Sequence, residues 1–132
     1  MPAVVAGNLY YVADETIRLL PEERRQQHKE RRLFLVLSGS EINSNDDWPV
    51  VVGCPVSGST SFRTRFDVML AYGEAGVIKK CWIRVPAIQP LLKQDLEDTT
   101  GALSPERLGE VQARVLEYLG LVTRAAPQPG GT

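Results

Sequence analysis

The run "VVVGCPVSGSTSF", Val50–Phe62, starts as a buried strand and ends in glycine and hydroxyl residues. Its valines favour a pleated sheet, and Gly53 and Pro55 inside it suggest a bulge or bend near its end. Beyond Val56 the chain surfaces into Ser57, Gly58, Ser59, Thr60 and Ser61. Rigid strand ends are where folds present binding groups, and small polar residues are also ordinary turn formers. The stretch therefore reads either as a turn or as the rim of a site.

Working outward, "GNLYYVA" (7–13) reads as a first strand and "RLFLVLS" (32–38) as a central one. Between them lies a long polar connection from Asp14, in which "PEERRQQHKERR" has the composition of a short helix with Pro21 in its first turn. A loop of this length inside a compact domain is more often functional than idle. "GSEINSNDDW" reads as a loop, "TRFDVMLA" (64–71) as a strand with one wet face, and "VIKKCWIRV" (77–85) as a fifth strand. Pro86 and Pro90 bound a short irregular piece. Short strands at this spacing predict a small barrel or strongly bent sheet. The final element is a helix with Ser104 as N-cap, Pro105 at its first position and a Leu103–Leu108 staple. Leu108, Val111, Val115 and Leu119 form its apolar face, and Gly120 stops it. The 132 residues are read as one domain over 1–121, with 122–132 a disordered Pro- and Gly-rich tail.

The formal charge of −1 does not announce a nucleic-acid binder, but its distribution is uneven. Residues 18–32 carry six Lys/Arg against three Glu, and residues 93–117 carry three against six acidic groups. One basic and one acidic face are expected. Cys54 and Cys81 have no metal-binding spacing and read as reduced core residues of a cytoplasmic protein. The first residues lack the apolar segment of about 7–15 residues found in signal peptides, and no apolar run approaches the roughly 20 residues that span a bilayer.

His28, the one histidine, sits among charges and suits either proton transfer or simple solvation. Nucleotide-cradling and hydrolase motifs are absent, and Ser57 has no adjacent His and acid to activate it as a nucleophile. As a hydrogen-bond donor it fits a reaction whose nucleophile is already in the substrate: cleavage of RNA by its own 2'-hydroxyl. That chemistry needs in-line positioning and neutralisation of phosphate charge, for which an arginine fork is suited. Arg31 and Arg32 head one strand and Ser57 ends the next, so they meet at one edge if those strands are neighbours.

In order from Gly7 to Leu121, the motifs "GNLYYV", "RLFLVLS", "PVSGS", "RFDV", "WIRVPAI", "GALSPERLGEV" and "LGL" resemble the MazF/PemK family of type II toxin–antitoxin ribonucleases. The resemblance implies an SH3-like β-barrel (CcdB/PemK-like) with a C-terminal helix. It also implies a homodimeric toxin held by an antitoxin protein. Such a toxin cuts single-stranded RNA (mRNA) without cofactor or metal, leaving 2',3'-cyclic phosphate and 5'-hydroxyl ends. The family's catalytic arginine and threonine carry over to Arg32 and Ser57, with His28 a third catalytic candidate. Arg31, Ser59, Thr60 and Arg63 are then candidates for RNA contact, together with Arg65, Lys79, Lys80 and Arg84. Leu33 replaces the usual proline, which leaves the arginine's register open between Arg31 and Arg32. Ile83 and Arg84 stand where many members carry an acid–glutamine pair, so no base preference is implied. Two alternatives share the fold: a CcdB-like protein that poisons DNA gyrase, and a non-catalytic SH3-like binding module.

Overall fold

A computed structural model describes residues 3–19, 30–58 and 62–123. Among these, seven antiparallel strands form one curled sheet in the order β4-β5-β3-β2-β1-β7, with β6 also on β3. The long strands are β1 (Asn8–Ala13), β2 (Arg31–Val36) and β3 (Val50–Ser57). The short ones are β4 (Val68–Leu70), β5 (Cys81–Ile83), β6 (Gln89–Leu92) and β7 (Thr99–Ala102). Helix α1 (Ser40–Asn43) is a single turn, and α2 (Pro105–Tyr118) is the long helix.

β3 makes the sheet curl, because it belongs to two surfaces at once. Its first residues pair with β6, from Val50 opposite Leu92 to Gly53 opposite Gln89. Gly53, Cys54 and Pro55 pair with Val36, Leu35 and Phe34 of β2, while Val56 and Ser57 pair with Ile83 and Trp82 of β5. At Gly53 the backbones pass so closely that a Cβ would lie 1.9 Å from the Leu35 carbonyl oxygen and 2.7 Å from the Phe34 ring. The glycine that suggested a bend in the sequence is the point of closest approach.

Alternation along the strands divides the interior into two cores. Leu9, Leu35, Cys54, Val56, Val68, Leu70 and Ile83 face one side, where α2 covers them with Val111, Leu108 and Val115. Tyr10, Val12, Phe34, Val36 and Val51 face the other, joined by Ile17 and Leu91. The α2 caps follow the sequence: the Ser104 side chain accepts from the Arg107 amide at 3.1 Å, and Leu103 and Leu108 share the first core. At the other end Gly120 takes φ +75°, and the Gly120 and Leu121 amides return to the Glu117 and Leu116 carbonyls. Leu119 departs from the expected apolar face and is 54% exposed, since the helix runs past the sheet. Tyr118 makes the last contact, edge-on to Phe66 at 5.2 Å.

The strands expected over 64–71 and 77–85 shrink to three residues each. Thr64–Asp67 is a turn closed by the Asp67 carboxylate on the Thr64 amide, and Ile78–Lys80 are exposed. "GSEINSNDDW" contains α1, and β6 and β7 had no alternating pattern to mark them, one containing Pro90 and the other Gly101. The helix expected within 21–32 falls mostly on residues 20–29, and most of the expected tail on 124–132, both outside the described residues. No helix of the described residues is long and apolar enough to cross a membrane.

Gly53→Ala is expected to destabilise the fold by about 1–3 kcal/mol or more, read as a lower urea midpoint at unchanged m. A second expectation concerns pH. Arg107 in α2 grips Glu74 from the β4–β5 hairpin with two bonds, 2.9 and 2.7 Å, and this pairing holds the Glu74 carboxyl below its ordinary 4.5. Stability from a lowered carboxyl is complete above pH 4.5 and is lost as pH falls through the folded value. The gap in Tm between the native protein and Glu74→Gln is therefore expected to be full at neutral pH and to close in acid.

Candidate active site on strands β2 and β3

Arg32 and Ser57 come together at the end of the second core. The β2–β3 register pairs Phe34 with Pro55, and two residues further it sets Arg32 level with Ser57. Strand alternation puts Val36, Phe34 and Arg32 in one row and Val51, Gly53, Pro55 and Ser57 in the next, so both side chains leave on the same face. The Arg32 Nη1 donates to the Val56 carbonyl at 2.8 Å, the peptide oxygen immediately before Ser57. Both residues are buried, Arg32 at 6% exposure and Ser57 at 8%.

A buried guanidinium requires a counter-charge, because an unpaired cation out of water is strongly disfavoured. Asp14 supplies it: Arg32 Nε donates to its Oδ1 at 2.6 Å, with 2% of the Asp14 side chain exposed. Asp14 begins a 3-10 turn directly after β1. Its amide bonds to the Glu30 carbonyl at 3.1 Å, its own carbonyl accepts from Ile17, and Ile17 is buried in the second core. The Gln89 side-chain amide then holds the Arg18 backbone through both its N–H and its carbonyl. Residues 14–18, read in sequence as the start of a loop, are thus built into the body of the domain. Nothing in the local sequence singled out Asp14, which stands in a polar run; its partner lies 18 residues away.

Around the far side of Ser57 stands a group of cations on an aromatic ring. Trp82 is the β5 residue opposite Ser57. The Arg63 guanidinium lies 4.5 Å from its ring centroid and the Lys80 ammonium 5.7 Å away. Lys79 lies over Gly58, where a Cβ would be 3.4 Å from its Nζ. The sequence reading named the three cations and missed Trp82, whose role depends on a cross-strand neighbour.

The remaining candidates are placed elsewhere or held in other bonds. Arg31, on the opposite face from Arg32, reaches Glu97 at 3.2 Å and covers the Tyr11 ring at 4.0 Å. Of the two arginines, Arg32 is the one whose side chain leaves the sheet on the Ser57 face. Arg65 turns to the helix side, over Phe66 and 3.7 Å from Glu117. Arg84 is occupied by the Phe62 carbonyl at 2.8 Å and by Asp67 at 3.2 Å, tying down the turn that carries Arg63. His28, Ser59 and Thr60 fall outside the described residues. Both cysteines are buried, and burial, followed by the nearby Asp67 charge, pushes the Cys54 thiol up to about 12. No group of three or more His, Cys, Asp or Glu able to hold a metal occurs among the described residues.

A curled antiparallel half-barrel with a C-terminal helix defines an SH3-like barrel, here with a buried arginine at the strand end that carries Ser57. The profile of the PemK-like, MazF-like toxins of type II toxin–antitoxin systems matches residues 16–119, and the chain belongs to that family. No curated protein sequence matches it. Its fold is similar to that of MazF (Form-I) from Deinococcus radiodurans, at TM-score 0.66 and 22% identity over 91% of this chain and 99% of that one. An endoribonuclease in complex with its cognate antitoxin from a mycobacterial species aligns at TM-score 0.65 and 17% identity, over 91% and 96% of the two chains. The Mycobacterium tuberculosis toxin MazF-mt6 aligns at 0.64 and 12% identity, over 86% and 96%.

Asp14→Ala is expected to lower stability by about 3–5 kcal/mol by stranding the Arg32 cation, and Arg32→Met added to it is expected to restore part of that loss. Chemical denaturation of the single and double variants reads both effects.

Proposed function

We propose that the protein is an endoribonuclease toxin that cuts single-stranded RNA through attack of a 2'-hydroxyl on the adjacent phosphorus. In that step the 2'-hydroxyl gives up its proton as its oxygen bonds to phosphorus, the P–O5' bond breaks, and the 5'-oxygen takes up a proton. The products carry 2',3'-cyclic phosphate and 5'-hydroxyl ends. The observation that carries this reading is the Arg32 Nη1 fixed 2.8 Å from the Val56 carbonyl, the peptide oxygen that precedes Ser57. A rigid, permanently charged fork next to a hydroxyl donor suits a phosphate whose nonbridging oxygens gain charge in the transition state.

Arg32 holds that charge and Ser57 binds one phosphate oxygen. His28, which lies outside the described residues, is the candidate for proton transfer, a task a histidine side chain suits near neutral pH. Arg63, Lys79 and Lys80 follow the strand's phosphates. Trp82 offers a stacking face, worth about 1–3 kcal/mol per base in proteins of this kind. A homodimer and a cognate antitoxin complete the proposal, the latter supported by the relative solved with its antitoxin.

Incubation of the purified protein with a long mixed-sequence transcript in EDTA tests it. Fragments with cyclic phosphate ends are expected, together with loss of cleavage in Arg32→Ala; an intact transcript under all conditions overturns the reading. Arg63→Ala is expected to weaken RNA binding and to reduce the salt slope by about one unit, measured by titration at several salt concentrations.

A further inference from the structure

Arg32 does not hold itself in place. Its side chain emerges near the end of β2 at the edge of an apolar core, where a free guanidinium is drawn toward water. Two bonds oppose that: Nε to Asp14 Oδ1 at 2.6 Å and Nη1 to the Val56 carbonyl at 2.8 Å. Together they fix rotation about the last bonds of the side chain. Nη2 is left without a hydrogen-bond partner among the described residues, so its N–H groups remain for an incoming oxyanion.

The carboxylate comes from a different element than either Arg32 or Ser57. β1 delivers it, through the register that pairs Val12 with Arg32 and Ala13 with Arg31, and the turn at 14–16 swings it beneath the guanidinium. The amide-to-carbonyl bond from Asp14 to Glu30 ties this turn to the chain entering β2. An arrangement this constrained orients a cation before substrate arrives. A surface arginine meeting phosphate unaided must be ordered in each encounter.

We infer that Asp14 is a positioning residue for RNA cleavage, acting through Arg32 by locking its Nε so that Nη2 is presented to the scissile phosphate. The inference rests on the endoribonuclease reading above. Since Asp14 is an anion close to an anion site, it lowers ground-state attraction for RNA while improving transition-state geometry. Its removal thus separates turnover from binding.

The test uses the full chain, with a short RNA spanning a mapped cleavage site and the 2'-deoxy analogue of that RNA. Asp14→Asn is expected to lower kcat about 100-fold, while Kd for the uncleavable analogue stays equal or falls. Added to Arg32→Ala, it is expected to change the residual rate less than about threefold, because the residue it positions is gone. In 15N-edited spectra of the free protein, the Arg32 Nε–H is expected to be protected from exchange, and to lose that protection in Asp14→Asn. Rates are taken per folded molecule from circular dichroism. If Asp14→Asn melts too low, Asp14→Glu, which keeps the charge but displaces it, is read in the same way.

An equal loss of kcat in the native and Arg32→Ala backgrounds assigns Asp14 a structural role and overturns the inference. So does full kcat in a folded variant. A native protein that cuts no RNA overturns the proposed function instead, and the exchange data then still decide whether Asp14 holds Arg32.

Discussion

At Gly53 strand β3 passes its neighbour β2 with no room for a side chain, and the curl of the sheet depends on that approach. There the chain lies so close to the Leu35 carbonyl that no Cβ fits. This contact lets β3 hold β6 and β2 at one end and β5 at the other, which bends the sheet into a half-barrel. The bend separates two cores, one covered by α2 and the other ending at Arg32. Ser57 ends β3 just beyond the change of partner from β6 to β5, paired with Trp82, so the strand that curves the sheet also positions the site.

The ion pair at that seam is not explained by stability alone. Burying a guanidinium and a carboxylate costs desolvation of both, and well-packed apolar residues of similar volume often stabilise as much or more. The pair makes sense as geometry: a cation held under the surface at a strand end, with one edge bonded to the protein. The exposed cations on Trp82 obey other rules. They stand exposed to water over the ring, with their charge undiminished by burial.

Several basic residues of apparently similar standing have different uses: Arg107 joins α2 to the β4–β5 hairpin, Arg84 fastens the turn before β4, and Arg31 covers Tyr11 and meets Glu97. Arg63, Lys79 and Lys80 gather about Trp82 and Gly58. Residue type could not separate these groups, because the distinction lies in which acid or carbonyl comes within reach after folding.

β1, β2, β3 and α2 were legible along the chain because their signals are local: runs of β-branched and aromatic residues, a Ser-Pro cap, a glycine stop. The motif order from Gly7 to Leu121 was legible too and carried the family. The three-residue strands and β6 and β7 were not, since pairing with neighbours rather than their own composition makes them strands. Arg32 and Ser57 were named from sequence, but their separation from Arg31 came from alternation across a folded sheet. Asp14 could not be read as a partner of Arg32 at all: a lone aspartate in a polar run has no local mark of burial. Sequence determined which elements form and which chemical groups are carried. Tertiary structure alone decided which of those groups share a face, because burial and charge pairing depend on residues brought together from distant parts of the chain.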